Sequence, residues 1–313
     1  MRLPRLLSSL AVALVLAGCG AAAAPPASSP TKTTEVAEQP APPPAPPKKE
    51  LPMGGRTIFP KYRLMGFCGT PGAPALGALR GNLAARTKDM LKLAPAYAGD
   101  RQILPVFELI TVVVMAAPGV DKKWRRRVPD SVVDDYLKAA RAAKGILLLN
   151  IQPGQSDFLT EVKAYEKYLK EPDVGVALDP EWQMWKENQV PGQVYGRTTG
   201  EAISDVGAYL SDLIKEGDLP EKALVFHQVN VHVLKDEDAI TMHPGVVVIK
   251  SVDGRGYTGA KILTYHSLVD HMSSDLHPGF KLFFDEDVTI GGRLMGPKEV
   301  MALTPLPEYV LYE

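Results

Sequence analysis

The run Gly145-Ile146-Leu147-Leu148-Leu149-Asn150-Ile151-Gln152 is followed by an amphipathic stretch, Leu159 to Leu169, and then by Val174-Gly175-Val176-Ala177-Leu178-Asp179. Two short apolar runs separated by a helical-period stretch are the pattern of parallel strands joined by a crossover helix. The same unit recurs along the chain after Met53. Strands are predicted at Tyr62 to Cys68, Leu104 to Val114, Gly145 to Gln152, Val174 to Asp179, Lys222 to Gln228, Gly245 to Lys250, Phe280 to Phe284 and Glu308 to Tyr312. Helices are predicted at Leu76 to Leu93, Ser131 to Ala143, Leu159 to Leu169, Thr199 to Lys215 and near Pro297 to Leu303. Pro129-Asp130-Ser131 and Thr198-Thr199-Gly200-Glu201 each set a capping oxygen ahead of an apolar helical face. Eight alternations in about 250 residues predict an α/β fold, a (β/α)8 TIM-like barrel over residues 54–313, because a parallel barrel closes its own edges. The stretches Lys235 to Met242 and Gly259 to Met272 are irregular, which predicts local distortion. An open doubly wound sheet fits less well: Cys68-Gly69-Thr70-Pro71-Gly72 reads as a turn after the first strand, with neither a G-x-G-x-x-G nor a Walker-type loop.

Polar side chains come late in the predicted strands, where a barrel gathers its chemistry at one mouth. Glu108 interrupts the second run; Asn150 and Gln152 end the third, Asp179-Pro180-Glu181-Trp182 the fourth and His227-Gln228 the fifth. Asp253 follows the sixth, and Asp285-Glu286-Asp287 follows the seventh. Alternate residues of an extended chain share a face, so Val176 and Leu178 face outward while Gly175, Ala177, Asp179 and Glu181 face inward. Two acids side by side resist simultaneous ionisation, so one holds a proton near neutral pH while its neighbour stays charged. Protonating a glycosidic oxygen requires that state. On this reading Glu181 is the general acid, Asp179 tunes it, and Asp285, Asp287 or Glu108 is the opposing carboxylate. A carboxylate separation of roughly 5 Å would give retention and one of roughly 6.5 to 9.5 Å inversion. Asn150, Gln152, His227, Gln228, Asp253 and Asp287 are candidates to bond sugar hydroxyls. Trp182 and Trp185 offer either a flat platform for a sugar ring or core packing.

Asp179-Pro180-Glu181 resembles the Asp-x-Glu strand ends of barrel glycosidases, particularly the muramidase (lysozyme) barrel family, whose fourth strand carries such a pair. The resemblance implies hydrolysis of a glycosidic bond. The chain departs from it where that family has an Asp near the end of the first strand: Phe67-Cys68-Gly69 stands there. A non-catalytic module that binds glycan or a wall component through the same mouth is the alternative.

Arg2 and Arg5 precede an apolar run from Leu6 to Leu16 and then Leu16-Ala17-Gly18-Cys19. This resembles the lipobox of bacterial lipoproteins, which implies a signal peptide over 1–18, cleavage before Cys19, lipid on Cys19 and anchoring at the extracytoplasmic face of a cell membrane. From Ala21 to Pro52 the chain turns to Ala, Pro, Ser and Thr, so residues 19–53 are expected to be a disordered, extended tether, about 3.1 Å per residue as polyproline II.

Lysine and arginine number 35 against 36 acidic residues, a formal net charge of -1, which argues against a nucleic-acid partner. Cys19 and Cys68 are the two cysteines; with Cys19 acylated, Cys68 is either a buried small residue or a lone thiol nucleophile. The six histidines lack metal-ligand spacing, and no Gly-x-Ser-x-Gly elbow occurs, so no metal or cofactor is expected. The basic run Lys122-Lys123-Trp124-Arg125-Arg126-Arg127 reads as an exposed loop or as a surface for anionic polymer.

Overall fold

Each of the eight apolar runs becomes a strand: β1 Tyr62–Gly69, β2 Gln102–Val114, β3 Ile146–Ile151, β4 Val174–Leu178, β5 Lys222–Gln228, β6 Val246–Val252, β7 His277–Leu282 and β8 Tyr309–Tyr312. They pair in chain order, all parallel, and β8 returns to β1 through Leu64↔Tyr309, so the sheet closes on itself. Closure satisfies every strand's backbone without leaving an edge. With helices between the strands, this is a (β/α)8 barrel.

The computed structural model describes residues 47–313. The expected signal peptide, Cys19 and most of the expected tether lie outside the described residues. Packed structure begins before residue 54, for Leu51 is 3% exposed and exchanges hydrogen bonds with Gly54 and Gly55. None of the helices among the described residues is long and apolar enough to cross a membrane.

The outer layer is less regular than the strands. It contains α1 Leu83–Leu93, α2 Asp130–Ala142, α3 Phe158–Lys163, α4 Glu166–Leu169, α5 Gly200–Gly217, α6 Thr258–Val269, α7 Glu286–Gly291 and α8 Pro297–Val300. The first helix starts seven residues later than expected, because Gly77 and Gly81 adopt positive φ angles of 105° and 67° that break a helix. The stretch Leu159 to Leu169 splits into α3 and α4 at Ala164 and Tyr165. By contrast α6, expected to be irregular, is continuous over 12 residues, because Gly259 sits in its first turn and leaves the helix interior free of glycine. Thr199 Oγ1 accepts from the Ala202 amide at 3.2 Å and caps α5 as expected. Asp130 does not cap α2; it is the first helical residue and pairs with Lys167 Nζ at 2.6 Å.

Beyond the barrel, β2 continues into a short antiparallel pairing with Arg125–Arg127. The basic run is therefore only partly a loop. Arg125 Nε and Arg127 Nε both bond the buried Glu161 carboxylate, at 2.9 and 2.8 Å, whereas Lys122, Lys123 and Arg126 are exposed.

The parallel register fixes which side chains fill the barrel. Residues paired across neighbouring strands face the same way, and the chain Cys68↔Glu108↔Leu148↔Gly175 defines one inner row. Asn150↔Ala177↔Val225↔Ile249 defines the next. Val176 and Leu178 fall on the opposite, helix-facing side. Small inner residues leave room for large ones: a Cβ on Gly279 would stand 3.0 Å from Tyr309 Cδ1. Removing one core leucine from such a packed wall costs about 2–5 kcal/mol.

Candidate active site

One buried polar network spans the carboxyl end of the barrel and draws on β2 through β8. Glu108 from β2 and Asp179 after β4 both accept from a single nitrogen, Asn150 Nδ2, each at 3.0 Å. Gln152 Nε2 donates to the other Asp179 oxygen at 3.0 Å. His227 from β5 sits between two acids, Nδ1 bonded to Asp253 Oδ1 at 3.0 Å and Nε2 in charge contact with Glu108 Oε1 at 3.0 Å. Tyr309 from β8 donates to Glu108 Oε2 at 2.5 Å. Lys281 from β7 reaches Asp253 Oδ2 at 3.0 Å and Glu313 Oε2 at 2.5 Å. Ser251 Oγ completes the shell of Asp253 at 3.0 Å.

Charge sorts these groups into two sets. Burial alone would neutralise His227 and Lys281, but the Asp253 charge, joined by Glu108 for His227 and by Glu313 for Lys281, outweighs it and keeps both cationic. Those cations in turn hold Asp253 and Glu108 below the ordinary carboxylate range, against the opposing pull of burial. Two cations thus match two anions. The remaining acids, Asp179, Glu181 and Glu313, are all raised, with burial as the first cause. Glu181 is raised well above its ordinary value of 4.5, pushed by burial and then by the Asp179 and Asp253 charges.

Glu181 also lacks a hydrogen-bond partner at Oε2. It lies on the 3-10 turn Pro180–Trp182, where Trp182 N donates to Asp179 O at 3.0 Å and Gly196 N donates to Glu181 O at 2.6 Å. Asn150 Oδ1 and Gln228 Oε1 are likewise buried and unpaired. Three unpaired oxygens, two of amides and one of a carboxyl, at the ends of three successive strands are a demand for hydrogen-bonding partners from water or ligand.

Other expected site residues are placed differently. Asp287 is fully buried in α7, where it accepts from Gly256 N at 2.9 Å and Phe283 N at 3.0 Å and pairs with Lys261 at 2.9 Å. Its role is to fasten two loops, so it is neither the opposing carboxylate nor a sugar ligand. Asp285 lines a cavity of about 640 Å³ with Phe67, Arg80, Phe284 and Glu313, a lining that includes neither Asp179 nor Glu181. Glu313 is the residue that this lining shares with the network. Glu108 is fully buried and held by Asn150, Tyr309 and His227, so the deepest acid in the network is already engaged. Asp253 and His227 serve as counterions, and Gln152 is satisfied at both ends because Val114 N donates to its Oε1 at 3.2 Å. Trp182 is half-buried, and Trp185 has Arg197 3.5 Å and Lys186 4.2 Å from its ring centre. Cys68 is fully buried, and burial together with the Glu108 charge pushes its thiol well up, which suits packing and not nucleophilic attack.

Lys281, Glu313, Tyr309 and Ser251 belong to the network without being expected from the sequence pattern. Among the described residues, no group of three or more His, Cys, Asp or Glu is arranged to hold a metal ion. No protein-family model matches the chain, and no curated protein matches it in sequence. The fold and the site therefore define a class only, a closed parallel barrel with an acid-rich carboxyl end.

Proposed function

We propose that the carboxyl end of this barrel hydrolyses glycosidic bonds, with Glu181 as the general acid. The observation that carries the reading is Glu181 itself, a buried carboxyl raised above its ordinary value by burial and Asp179, with one oxygen unpaired. A neutral acid holds the proton that a departing sugar oxygen needs. Glu181 gives up that proton as the C–O bond breaks, and water takes the vacated carbon and returns a proton to the site. Asp179, fixed by Asn150 and Gln152, is the neighbouring carboxylate that sets the Glu181 pKa and orients a sugar substituent. The unpaired Asn150 Oδ1 and Gln228 Oε1 accept from sugar hydroxyls. Lipid on Cys19 would hold the enzyme at the extracytoplasmic face of a membrane, and its substrate would be cell-wall or extracellular carbohydrate.

Glu181→Gln tests this directly. Turnover on a panel of wall and storage glycans, read by release of reducing ends, falls by about 10²- to 10⁴-fold. The thermal midpoint stays level or rises, since no hydrogen bond to Oε2 is lost. Absence of turnover by the intact protein on every glycan of the panel overturns hydrolysis. It would leave the second reading, a non-catalytic surface lipoprotein that binds glycan, in which Glu181→Gln retains affinity. One observation favours that second reading: Glu108 and Asp253, two other acids of the network, are already neutralised by His227 and Lys281.

A further inference from the structure

We infer that Tyr195, Tyr257 and Arg255 form a rim subsite for an extended glycan chain, so that the site reads a polymer and not a lone sugar. The choice of ligand rests on the carbohydrate reading given above. Both tyrosines stand on loops tied to the acid network. Tyr195 precedes Gly196, whose amide bonds the Glu181 carbonyl at 2.6 Å. Arg255 and Tyr257 follow Asp253, and their loop is fixed where Gly256 N donates to the buried Asp287. Arg255 Nη2 reaches the Tyr195 hydroxyl at 3.4 Å and joins the two loops across the lip.

Exposure sets these rings apart. Tyr195 is 56% and Tyr257 57% exposed, whereas the barrel's own tyrosines such as Tyr62 and Tyr309 are fully buried. Trp185 is exposed as well, yet Arg197 and Lys186 already lie against its ring, so it is a prop for the loop. Two bare phenol rings and a guanidinium give flat apolar faces beside hydrogen-bonding groups, the combination that a pyranose presents in reverse, with its C–H face and its equatorial hydroxyls. A chain with one residue at Glu181 would continue over this lip.

The test separates binding from turnover by working in the full chain carrying Glu181→Gln. Co-sedimentation is measured with purified peptidoglycan sacculi, chitin, insoluble xylan and insoluble starch. At least one of the four is bound, and adding Tyr195→Ala or Tyr257→Ala weakens that binding about three- to tenfold. Tyr257→Trp, which keeps a ring, restores it, and unchanged thermal midpoints exclude misfolding as the cause. Binding to none of the four, or binding unaffected by both alanine variants, overturns the subsite. The two proposals fail separately. Wild type that turns over nothing while the tyrosine variants lose binding removes hydrolysis and keeps the subsite; wild-type hydrolysis with an unchanged polymer KM in both variants does the reverse.

Discussion

Lys281 stands between Phe280 and Leu282, and an isolated lysine in an apolar run reads easily as a solvent-facing residue on an edge. Period-2 alternation gives the opposite answer once the strand is known to be central, since Phe280 and Leu282 pack outward and Lys281 must then point into the barrel. What alternation could not supply was the partner, because Asp253 is 28 positions away at the end of β6 and Glu313 comes alongside only through the pairing of β7 with β8. The acids themselves were legible: Glu108, Asp179, Glu181 and Asp253 all interrupt or end apolar runs. Their division into neutralised and raised groups was not, for it depends on which of them the two cations touch. Lys281→Met should show the dependence. It leaves Glu313 without a cation and Asp253 with one of two, and loss of one member of a buried ion network costs about 3–5 kcal/mol. Urea unfolding should show the midpoint falling with the slope unchanged, and a loss under about 1 kcal/mol would mean that the network contributes little.

Strands were read more faithfully than helices, and the reason lies in where each is determined. A strand in a closed parallel barrel is buried on both faces, so its sequence is apolar apart from the few polar residues that face the barrel interior or its ends. The helices cover only one side, and their ends answer to local chemistry: Gly77 and Gly81 delay α1, Ala164 and Tyr165 divide α3 from α4, and Pro129 takes the capping position expected of Asp130. Within the strands, glycine carries information that propensity misses. Gly279 lies on the inner face of β7, where an added methyl would meet Tyr309 Cδ1 at 3.0 Å, Ser251 Cα at 3.2 Å and Lys250 O at 3.3 Å. Backbone on β6 cannot move without breaking the ladder, so the Tyr309 ring must give way and with it the bond to Glu108. Gly279→Ala is expected to cost about 1–3 kcal/mol, the range for overpacking a core. The same variant should make a tyrosine more accessible to solvent, measured by ultraviolet difference absorbance; unchanged stability would show that the ring has room to spare.

At the scale of the whole molecule, a ring that encloses the acids of this network together with His227 and Lys281 makes stability a function of pH with a sign that can be worked out. Glu108 and Asp253 are lowered in the fold, so the stability they contribute is present above their ordinary values of 4.5 and 3.8 and is lost as the solution becomes more acid. Asp179, Glu181 and Glu313 are raised, so the folded chain binds more protons than the unfolded one above those same values, and stability falls as pH rises toward their folded values. His227, also raised, acts in the same sense above its ordinary 6.5. One group opposes them at higher pH: Lys222, pulled by burial to about 7, favours the fold increasingly as pH climbs from there toward 10.5. Between about pH 5 and 7, therefore, the raised carboxyls act with least interference, and the barrel should lose stability across that interval. Glu181→Gln removes one of these contributions while keeping the shape of the side chain. Its stability relative to wild type should accordingly grow as pH rises from about 5 to about 7, measured by urea unfolding at each pH. A difference that stays constant over the interval would mean that Glu181 is ionised throughout, and a glutamate already ionised at the acid end of that range has no proton to give a departing sugar.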